Sequence, residues 1–292
     1  MEGPAVAPIV KRPMRGRAAL GGGLWGTKVL VGLTILVVLL PIAWLVLTSL
    51  RYTRQIMANR LVTGMTFANF HALLSPGSSF LALCRNSIMI TLMSTGLVLV
   101  IGSLAAYSLS KYRWRGWFVI MMMGWGIVIN MLPQIALVPA LYAIARASAL
   151  YNTPWILVAV YTFFNTPLAL VMLKVGFDAV PKELVEAAQI DGSPDIMTFW
   201  RVVLPLAVPS IVAAGFLTAI MCWDDFILAL SLTATSAAMT IPVGLSQFVQ
   251  QYDISYGPMA SGTVIAIAPV LVIVIFAQRY LVKGLTGGAI KG

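Results

Sequence analysis

Charged residues are scarce in this chain of 292 residues. Only 10% of them are charged, whereas 60% are hydrophobic; a soluble domain carries about a quarter charged residues. A soluble domain of this length cannot hide so much apolar surface, and disordered chains are poor in apolar residues. The net charge of +10 could suggest nucleic acid, but nucleic-acid-binding proteins are rich in charge. The composition therefore predicts a polytopic protein embedded in a lipid membrane, with no nucleic acid as partner.

Histidine and cysteine are also rare. The chain has one histidine, His71, and two cysteines, Cys84 and Cys222, with neither a CxxC nor an HExxH motif. Zinc and iron–sulfur sites need such clusters, so we predict no metal site. His71 lies in a polar stretch that favours a surface position, and we assign no catalytic residue. A GxxxxGK[ST] phosphate loop is missing too, so we expect no cofactor on this chain and no ATP hydrolysis by such a loop.

Long charge-free runs are, in contrast, abundant. Crossing a bilayer takes about 20 apolar residues, and six runs are long enough. They cover residues 29–50, 86–110, 116–145, 147–173, 202–223 and 254–278. A further run, residues 226–252, is rich in Ser, Thr and Gln, and we interpret it as the end of span five followed by an extramembrane or re-entrant connection. The predicted fold class is an all-α transmembrane helical bundle of six spans, with seven as the alternative.

The positions of the basic residues predict the orientation, because Lys and Arg favour cytoplasmic segments. If the N-terminus is inside, six spans leave most of the 19 Lys and Arg residues in inside segments. Both termini are therefore expected in the cytoplasm. Residues 1–28, rich in Gly, Pro and Arg, are predicted to form a disordered basic cytoplasmic tail, and residues 29–292 the transmembrane domain. The first apolar run is too long for a signal peptide, which favours an uncleaved helix.

Polar residues inside the spans indicate more than anchoring. The third span contains Asn130 and Gln134, and the fourth contains Tyr161 and Asn165. Amides at membrane depth must face protein or a water-filled cavity. For Asn130 and Gln134, a hydrated pathway and interhelical hydrogen bonds are equally open interpretations. For Tyr161 and Asn165 we favour a pathway, because an aromatic ring beside an amide suits a polyhydroxylated solute.

One acidic cluster adjoins a span, at residues 223–226. On a straight helix from Val202, Asp224 would lie about 33 Å along the axis, near the outer surface. A proton or sodium relay would need carboxylates closer to the midplane. Interfacial acids at a helix end are one interpretation, and an outer gate or substrate cavity is the other. Under the second interpretation, Trp223 and Asp225 join the predicted substrate pathway.

The loop at residues 178–205, between spans four and five, carries the most information. Pro181 suits the first position of a helix, and Gly192 is placed to end that helix in a left-handed conformation. The Ser-Pro-Asp sequence at 193–195 suits the start of a second helix. Adjacent alanines give the first helix a small face that another surface can approach closely. We therefore predict two short helices on the cytoplasmic face, either an ordinary hairpin or a docking element for a cytoplasmic partner.

This loop resembles the EAA loop of ABC importer permeases. Its pattern is matched in three places: Glu186-Ala187-Ala188, Gly192 after three further residues, and Val202-Val203-Leu204-Pro205 after nine more. Val202 stands in place of the family's Ile. Other stretches are similar to the carbohydrate branch, of maltose type: Arg85-Asn86-Ser87, Ala105-Ala106-Tyr107, Leu150-Tyr151-Asn152-Thr153, Trp223-Asp224-Asp225-Phe226 and residues 278–292. Asp224 stands where that branch usually has Asn. The resemblance runs from about residue 28 to the end.

The resemblance implies a type I ABC importer permease fold in the bacterial cytoplasmic (inner) membrane. The implied partners are a second, related permease subunit that completes a heterodimer, two copies of an ATPase subunit that bind ATP and Mg, and an extracytoplasmic sugar-binding protein. The residues implied in coupling to the ATPase are Glu183, Glu186, Ala187, Ala188, Asp191 and Gly192. The expected function is import of a sugar, such as a di- or oligosaccharide. Import of glycerol phosphate or an amino acid, or ion-coupled secondary transport, are the alternatives.

Overall fold

The computed structural model describes residues 21–58, 64–249 and 255–286, which contain helices and no β-strand. The helices are α1 Gly21–Ser49, α2 Thr53–Met57, α3 Ala68–Leu74, α4 Ser79–Lys111, α5 Gly116–Met131, α6 Gln134–Ala147, α7 Pro154–Asp178, α8 Lys182–Ile190, α9 Asp195–Thr198, α10 Leu204–Leu206, α11 Val208–Asp224, α12 Ile227–Leu232, α13 Ile241–Ser246 and α14 Tyr256–Thr286. A π-helical turn, Phe199–Val203, joins α9 to α10. The chain divides into two compact units, Met1–Leu47 and Thr48–Gly292.

Four described helices are long and apolar enough to cross a membrane by themselves: Trp25–Ser49, Ser79–Lys111, Pro154–Asp178 and Tyr256–Phe276. Two bent helix pairs pass the same test together. α5 and α6 turn by 99° at their junction, and Asp195–Leu206 turns by 79° from α11. Counting each bent pair as one span gives six, as predicted, and the all-α polytopic class is confirmed.

The predicted bounds of the spans need correction. The second span begins at Ser79 rather than residue 86, and the fourth covers Pro154–Asp178 rather than residues 147–173. The third and fifth spans are bent rather than straight. Leu132 is extended because it precedes Pro133, and α11 begins anew after Ala207. The straight-helix distance from Val202 to Asp224 is therefore wrong.

The predicted tail at residues 1–28 overlaps the first helix. α1 begins at Gly21 and continues to Ser49. Residues 1–20, and with them most of the predicted tail, lie outside the described residues. So does the end of the chain from residue 287, which carries part of the resemblance noted above.

Two apolar clusters organise the second unit around α7, which packs along α4 and α11. One cluster contains Tyr161 and Trp223, and lies at the end of α7 that carries the polar residues. The other contains Leu173 and Phe199, and lies at the end that leads into the loop at 178–205. The same central helix therefore joins the two regions where function was predicted.

Close approach between α5 and α7 depends on the absence of a side chain at Gly126. A Cβ atom added there would lie 2.7 Å from the Cβ of Pro167, whereas a Cβ at Gly124 would meet nothing within 4 Å. We expect Gly126→Ala to destabilise the protein by about 1–3 kcal/mol through overpacking. Gly124→Ala is the matched control, and the thermal unfolding midpoint of the purified protein in detergent measures both. Equal midpoints for the two variants would contradict the predicted clash.

Three polar side chains hold the connection between α12 and α13. Asn86 is buried, and its amide donates to the carbonyls of Ser236 at 3.0 Å and Met239 at 3.1 Å. Ser87 accepts from the N–H of Ile241 at 2.8 Å. Asn152, in the left-handed region with φ 59°, accepts from two backbone N–H groups of the connection. Residues 226–249 therefore form an ordered connection with two short helices rather than a seventh span.

Removal of the Asn86 amide leaves two carbonyls without their donor. We expect Asn86→Ala to lower stability by about 1–3 kcal/mol, because the penalty for unpaired buried polar groups is of that size. Arg85→Ala, at the exposed neighbouring position, is the control. Hydrogen exchange of residues 233–241 measures the local effect: faster exchange is expected for Asn86→Ala alone, and unchanged exchange would show that the connection is held by other contacts.

Candidate functional site

The loop at 178–205 contains the two predicted helices, α8 and α9. Gly192 separates them with φ +78°. Its N–H donates to the carbonyl of Gln189 at 3.0 Å, and the N–H of Ser193 donates to that of Ala188 at 2.9 Å, so the last carbonyls of α8 are satisfied as in other glycine-ended helices. Pro181 and Pro194 stand one position before each helix instead of at its first residue.

The residues predicted for coupling lie on the surface of this loop. Glu183, Glu186, Ala187, Asp191 and Gly192 are exposed, and Ala188 is half-buried. Large apolar side chains are exposed beside them: Leu184, Ile190, Ile196, Met197 and Trp200, with Ile190 86% exposed. A surface that combines acids with exposed apolar side chains is typical of a protein contact site.

Asp195 connects this loop to the end of α4 and was not among the predicted site residues. Its Oδ2 accepts from the Tyr112 hydroxyl at 2.7 Å, and its Oδ1 accepts from the Gln189 amide at 3.2 Å. The Nζ of Lys111 lies 3.7 Å from Oδ1. The Tyr107 hydroxyl donates to the Asp195 carbonyl at 3.3 Å. One carboxylate therefore joins α8, α9 and the end of α4.

A cleft of about 520 Å³ opens beside this junction, between α8 and the ends of α4 and α7. Glu186, Lys182 and Gln189 line it from α8, and Lys111 and Arg113 line it from the α4 end. The hydrogen bond to Asp195 raises the pKa of the Tyr112 hydroxyl, so this hydroxyl remains a donor at neutral pH. The cleft carries charges of both signs.

A second cavity, of about 240 Å³, collects most of the predicted pathway residues. Asn130, Gln134, Tyr161, Asn165 and Asp225 all line it, although they come from three separate stretches of the chain. Asp224 lines it as well. The bend between α5 and α6 places Asn130 and Gln134 on one wall, and α7 supplies Tyr161 and Asn165.

Hydrogen bonds fix several of these side chains. The Asn130 amide donates to the carbonyl of Gly126 at 2.8 Å within its own helix, and no hydrogen bond joins it to a second helix in the part of the chain that the structure describes. The Asn165 amide donates to the carbonyl of Tyr161 at 2.8 Å. The Tyr161 hydroxyl donates to Asp225 Oδ1 at 2.9 Å, across α7 and the end of α11. Hydrogen bonds therefore hold two amides, one hydroxyl and one carboxylate of the cavity wall in defined positions.

Trp223 is the exception among the predicted pathway residues. It is 9% exposed, and its indole N–H donates to the carbonyl of Ala266 on α14 at 3.2 Å. It belongs to the apolar cluster behind the cavity rather than to the cavity lining. The residues of α11 that do line the cavity are Met221 and Asp224. Within the described ranges, no three His, Cys, Asp or Glu side chains lie close enough to hold a metal ion.

Fold and site together define a class of protein: a polytopic helical membrane protein with a polar cavity among its spans and a helical loop at one end. The chain belongs to the family of binding-protein-dependent transport system inner membrane components, whose profile matches residues 98–287. It is therefore a multi-pass transport component of the inner membrane. The matched region includes the loop at 178–205 and both cavities.

Named relatives cover most of the chain. It is 37% identical over 257 residues to the trehalose transport system permease protein SugB of Mycobacterium tuberculosis, covering 87% of this chain and 93% of that one. It is 33% identical to the trehalose/maltose transport system permease protein MalG of Thermococcus litoralis, covering 89% and 94%. It is 32% identical to the sulfoquinovosyl glycerol transport system permease protein SmoH of Agrobacterium fabrum, covering 87% and 89%.

A solved structure confirms the fold. One chain of a bacterial ABC transporter involved in the import of the acidic polysaccharide alginate superposes with a TM-score of 0.77 and 21% sequence identity. The superposition covers 92% of this chain and 99% of that one. The predicted fold of an ABC importer permease is therefore correct.

Proposed function

We propose that this chain is the permease subunit of an ATP-binding-cassette importer that carries a sugar across the cytoplasmic membrane. The observation that carries the proposal is the loop at 178–205, whose exposed acidic and apolar surface is tied through Asp195 to a membrane-spanning helix. A sugar as solute is supported by the names of the relatives, which are permease proteins of transport systems for trehalose, for trehalose/maltose and for sulfoquinovosyl glycerol. Amide and hydroxyl groups in the 240 Å³ cavity suit sugar hydroxyls.

The proposed assembly contains a second, related permease, two copies of an ATPase subunit and an extracytoplasmic sugar-binding protein. ATP and Mg²⁺ bind to the ATPase subunits, and this chain hydrolyses no ATP. Both termini lie in the cytoplasm, which places α8 and α9 on the side of the ATPase. The proposed docking surface consists of residues of α8 and its end, all of them exposed except the half-buried Ala188: Glu183, Glu186, Ala187, Ala188, Asp191 and Gly192.

A movement of the docked helix α8 has two routes into the membrane. The first runs from Gln189 through Asp195 to Tyr112 at the end of α4. The second runs through α9 and the π-helical turn into α11, whose far end carries Asp224 at the cavity. Both α4 and α11 pack on α7, which supplies Tyr161 and Asn165 to the cavity. ATP-driven closure of the ATPase subunits can thus open or close the pathway.

Uptake into proteoliposomes that contain the complete transporter tests the proposal. We expect accumulation of radiolabelled sugar that requires both ATP and the loaded binding protein and that continues in the presence of a protonophore. Uptake that stops with the protonophore while ATP is intact would instead establish an ion-coupled transporter. A thermal-shift screen of the binding protein with sugars, amino acids and glycerol phosphate separates a sugar importer from an importer of another solute.

A further inference from the structure

The 240 Å³ cavity has an unbalanced charge. Among the lining residues that the structure describes, only Asp224 and Asp225 are charged, and none is Lys, Arg or His. The remaining lining side chains are amides, a tyrosine hydroxyl and apolar groups. A solute that contacts this wall therefore meets two carboxylates and no cation from residues 21–58, 64–249 and 255–286.

The two carboxylates differ in their surroundings. Asp225 is held in place, because its Oδ1 accepts from the Tyr161 hydroxyl at 2.9 Å and from the N–H of Ala229 at 3.1 Å. Asp224 is exposed, and within the part of the chain that the structure describes its side chain has neither a hydrogen bond nor an ion pair. The Asp225 side chain is thus held in one position, whereas the Asp224 carboxylate is available to interact with a solute in the cavity.

Electrostatics then discriminates between classes of solute. A carboxylate accepts hydrogen bonds from sugar hydroxyls and attracts an amine, but it repels a second anion, and the repulsion is stronger at a protein wall of low dielectric constant than in water. We propose that the cavity accepts uncharged or amine-bearing sugars and rejects sugars that carry a carboxylate, sulfonate or phosphate group, with Asp224 as the specificity-determining residue. This inference rests on the proposed function of the same cavity.

Thiol labelling measures the potential in the cavity independently of the binding protein. Gln134→Cys, on the cavity wall, serves as the reporter in the complete transporter, with Cys84→Ala and Cys222→Ala as the background. The reaction rates of a cationic and an anionic methanethiosulfonate reagent are compared, relative to a free thiol in solution. We expect the cationic reagent to be favoured by about tenfold at Gln134→Cys, and Asp224→Asn, which keeps the shape of the side chain, to remove most of that preference.

A second reporter, Leu132→Cys, lies on the same wall and is 45% exposed. Equal rates for both reagents, a preference unchanged by Asp224→Asn, or no labelling of either reporter would each overturn the inference. ATP-dependent sugar uptake by the background transporter, without a reporter cysteine, is measured in parallel. If uptake depends on ATP but the labelling shows no charge preference, the proposed function stands and only the inference about Asp224 fails. If the labelling shows the charge preference but uptake does not depend on ATP, the proposed function fails.

Discussion

Proline in place of Gly192 is expected to lower ATP-driven uptake by more than about tenfold, while the protein remains in the membrane at its normal level. Gly192 has φ +78°, whereas proline fixes φ near −65°. Proline also lacks the N–H that donates to the Gln189 carbonyl at 3.0 Å. The end of α8 must therefore reorganise. A coupling free energy of about 1–3 kcal/mol between two sites corresponds to about 5–150-fold in an equilibrium constant, and loss of docking geometry removes this coupling.

Alanine at two glycines separates this effect from general strain. Gly192 and Gly77 both have positive φ, +78° and +90°, and a Cβ atom would meet nothing within 4 Å at either position. Alanine therefore introduces a similar strain at both, roughly 1–2 kcal/mol, but only Gly192 lies in the loop. Reduced uptake and reduced co-purification of the ATPase are expected for Gly192→Ala and not for Gly77→Ala. Normal uptake by Gly192→Pro at equal protein level would refute a coupling role for this loop.

The helices of this loop could be predicted because their signals are local. Pro181, Gly192 and Pro194 each act on the backbone within one or two positions, and the structure moves the helix starts by a single residue. The bends in the third and fifth spans were harder to predict. A proline indicates where a helix breaks, as at Pro133, but the angle of 99° depends on packing against other helices.

The cavity was predicted in its composition but not in its geometry. Amides at membrane depth must face protein or water, and this rule points to Asn130, Gln134 and Asn165. Tyr161 joins them because an aromatic ring beside an amide suits a polyhydroxylated solute. Trp223 was selected by its position beside acidic residues, yet an indole ring contributes so much apolar surface that it packs in the core and uses its N–H on α14. The position of Trp223 in the sequence does not show whether its side chain faces the cavity or the apolar core.

Asp195 was missed because its partners are distant in the sequence. Tyr112 lies 83 positions away, and the hydrogen bond between them forms only when the loop folds back on the end of α4. The only local signal was an acid in the first turn of α9, which is a common feature of helix starts. Contacts of this kind depend on how the helices pack against one another in three dimensions. That packing cannot be predicted from one short stretch of the sequence.

Loss of the Asp195 carboxylate is the second change with a large expected effect. Asp195→Leu removes the acceptor for Tyr112 and Gln189 and the counter-charge for Lys111. If the carboxylate carries movement from α8 to α4, uptake falls by about tenfold while ATPase activity continues, because the ATPase still docks on α8. Asp195→Asn keeps acceptor capacity for the hydroxyl and loses the ion pair, so an intermediate loss is expected.

A double-mutant cycle with Tyr112→Phe shows whether the two residues act together. Tyr112→Phe removes the same 2.7 Å hydrogen bond from the other side. Because Asp195→Leu and Tyr112→Phe interrupt the same link, the double variant Asp195→Leu/Tyr112→Phe should lose hardly more activity than the more impaired single variant. The measurement is the number of sugar molecules imported per ATP hydrolysed, which separates weakened coupling from weakened docking. Additive losses, or an unchanged ratio of sugar to ATP in all three variants, would show that α4 receives its movement by another route.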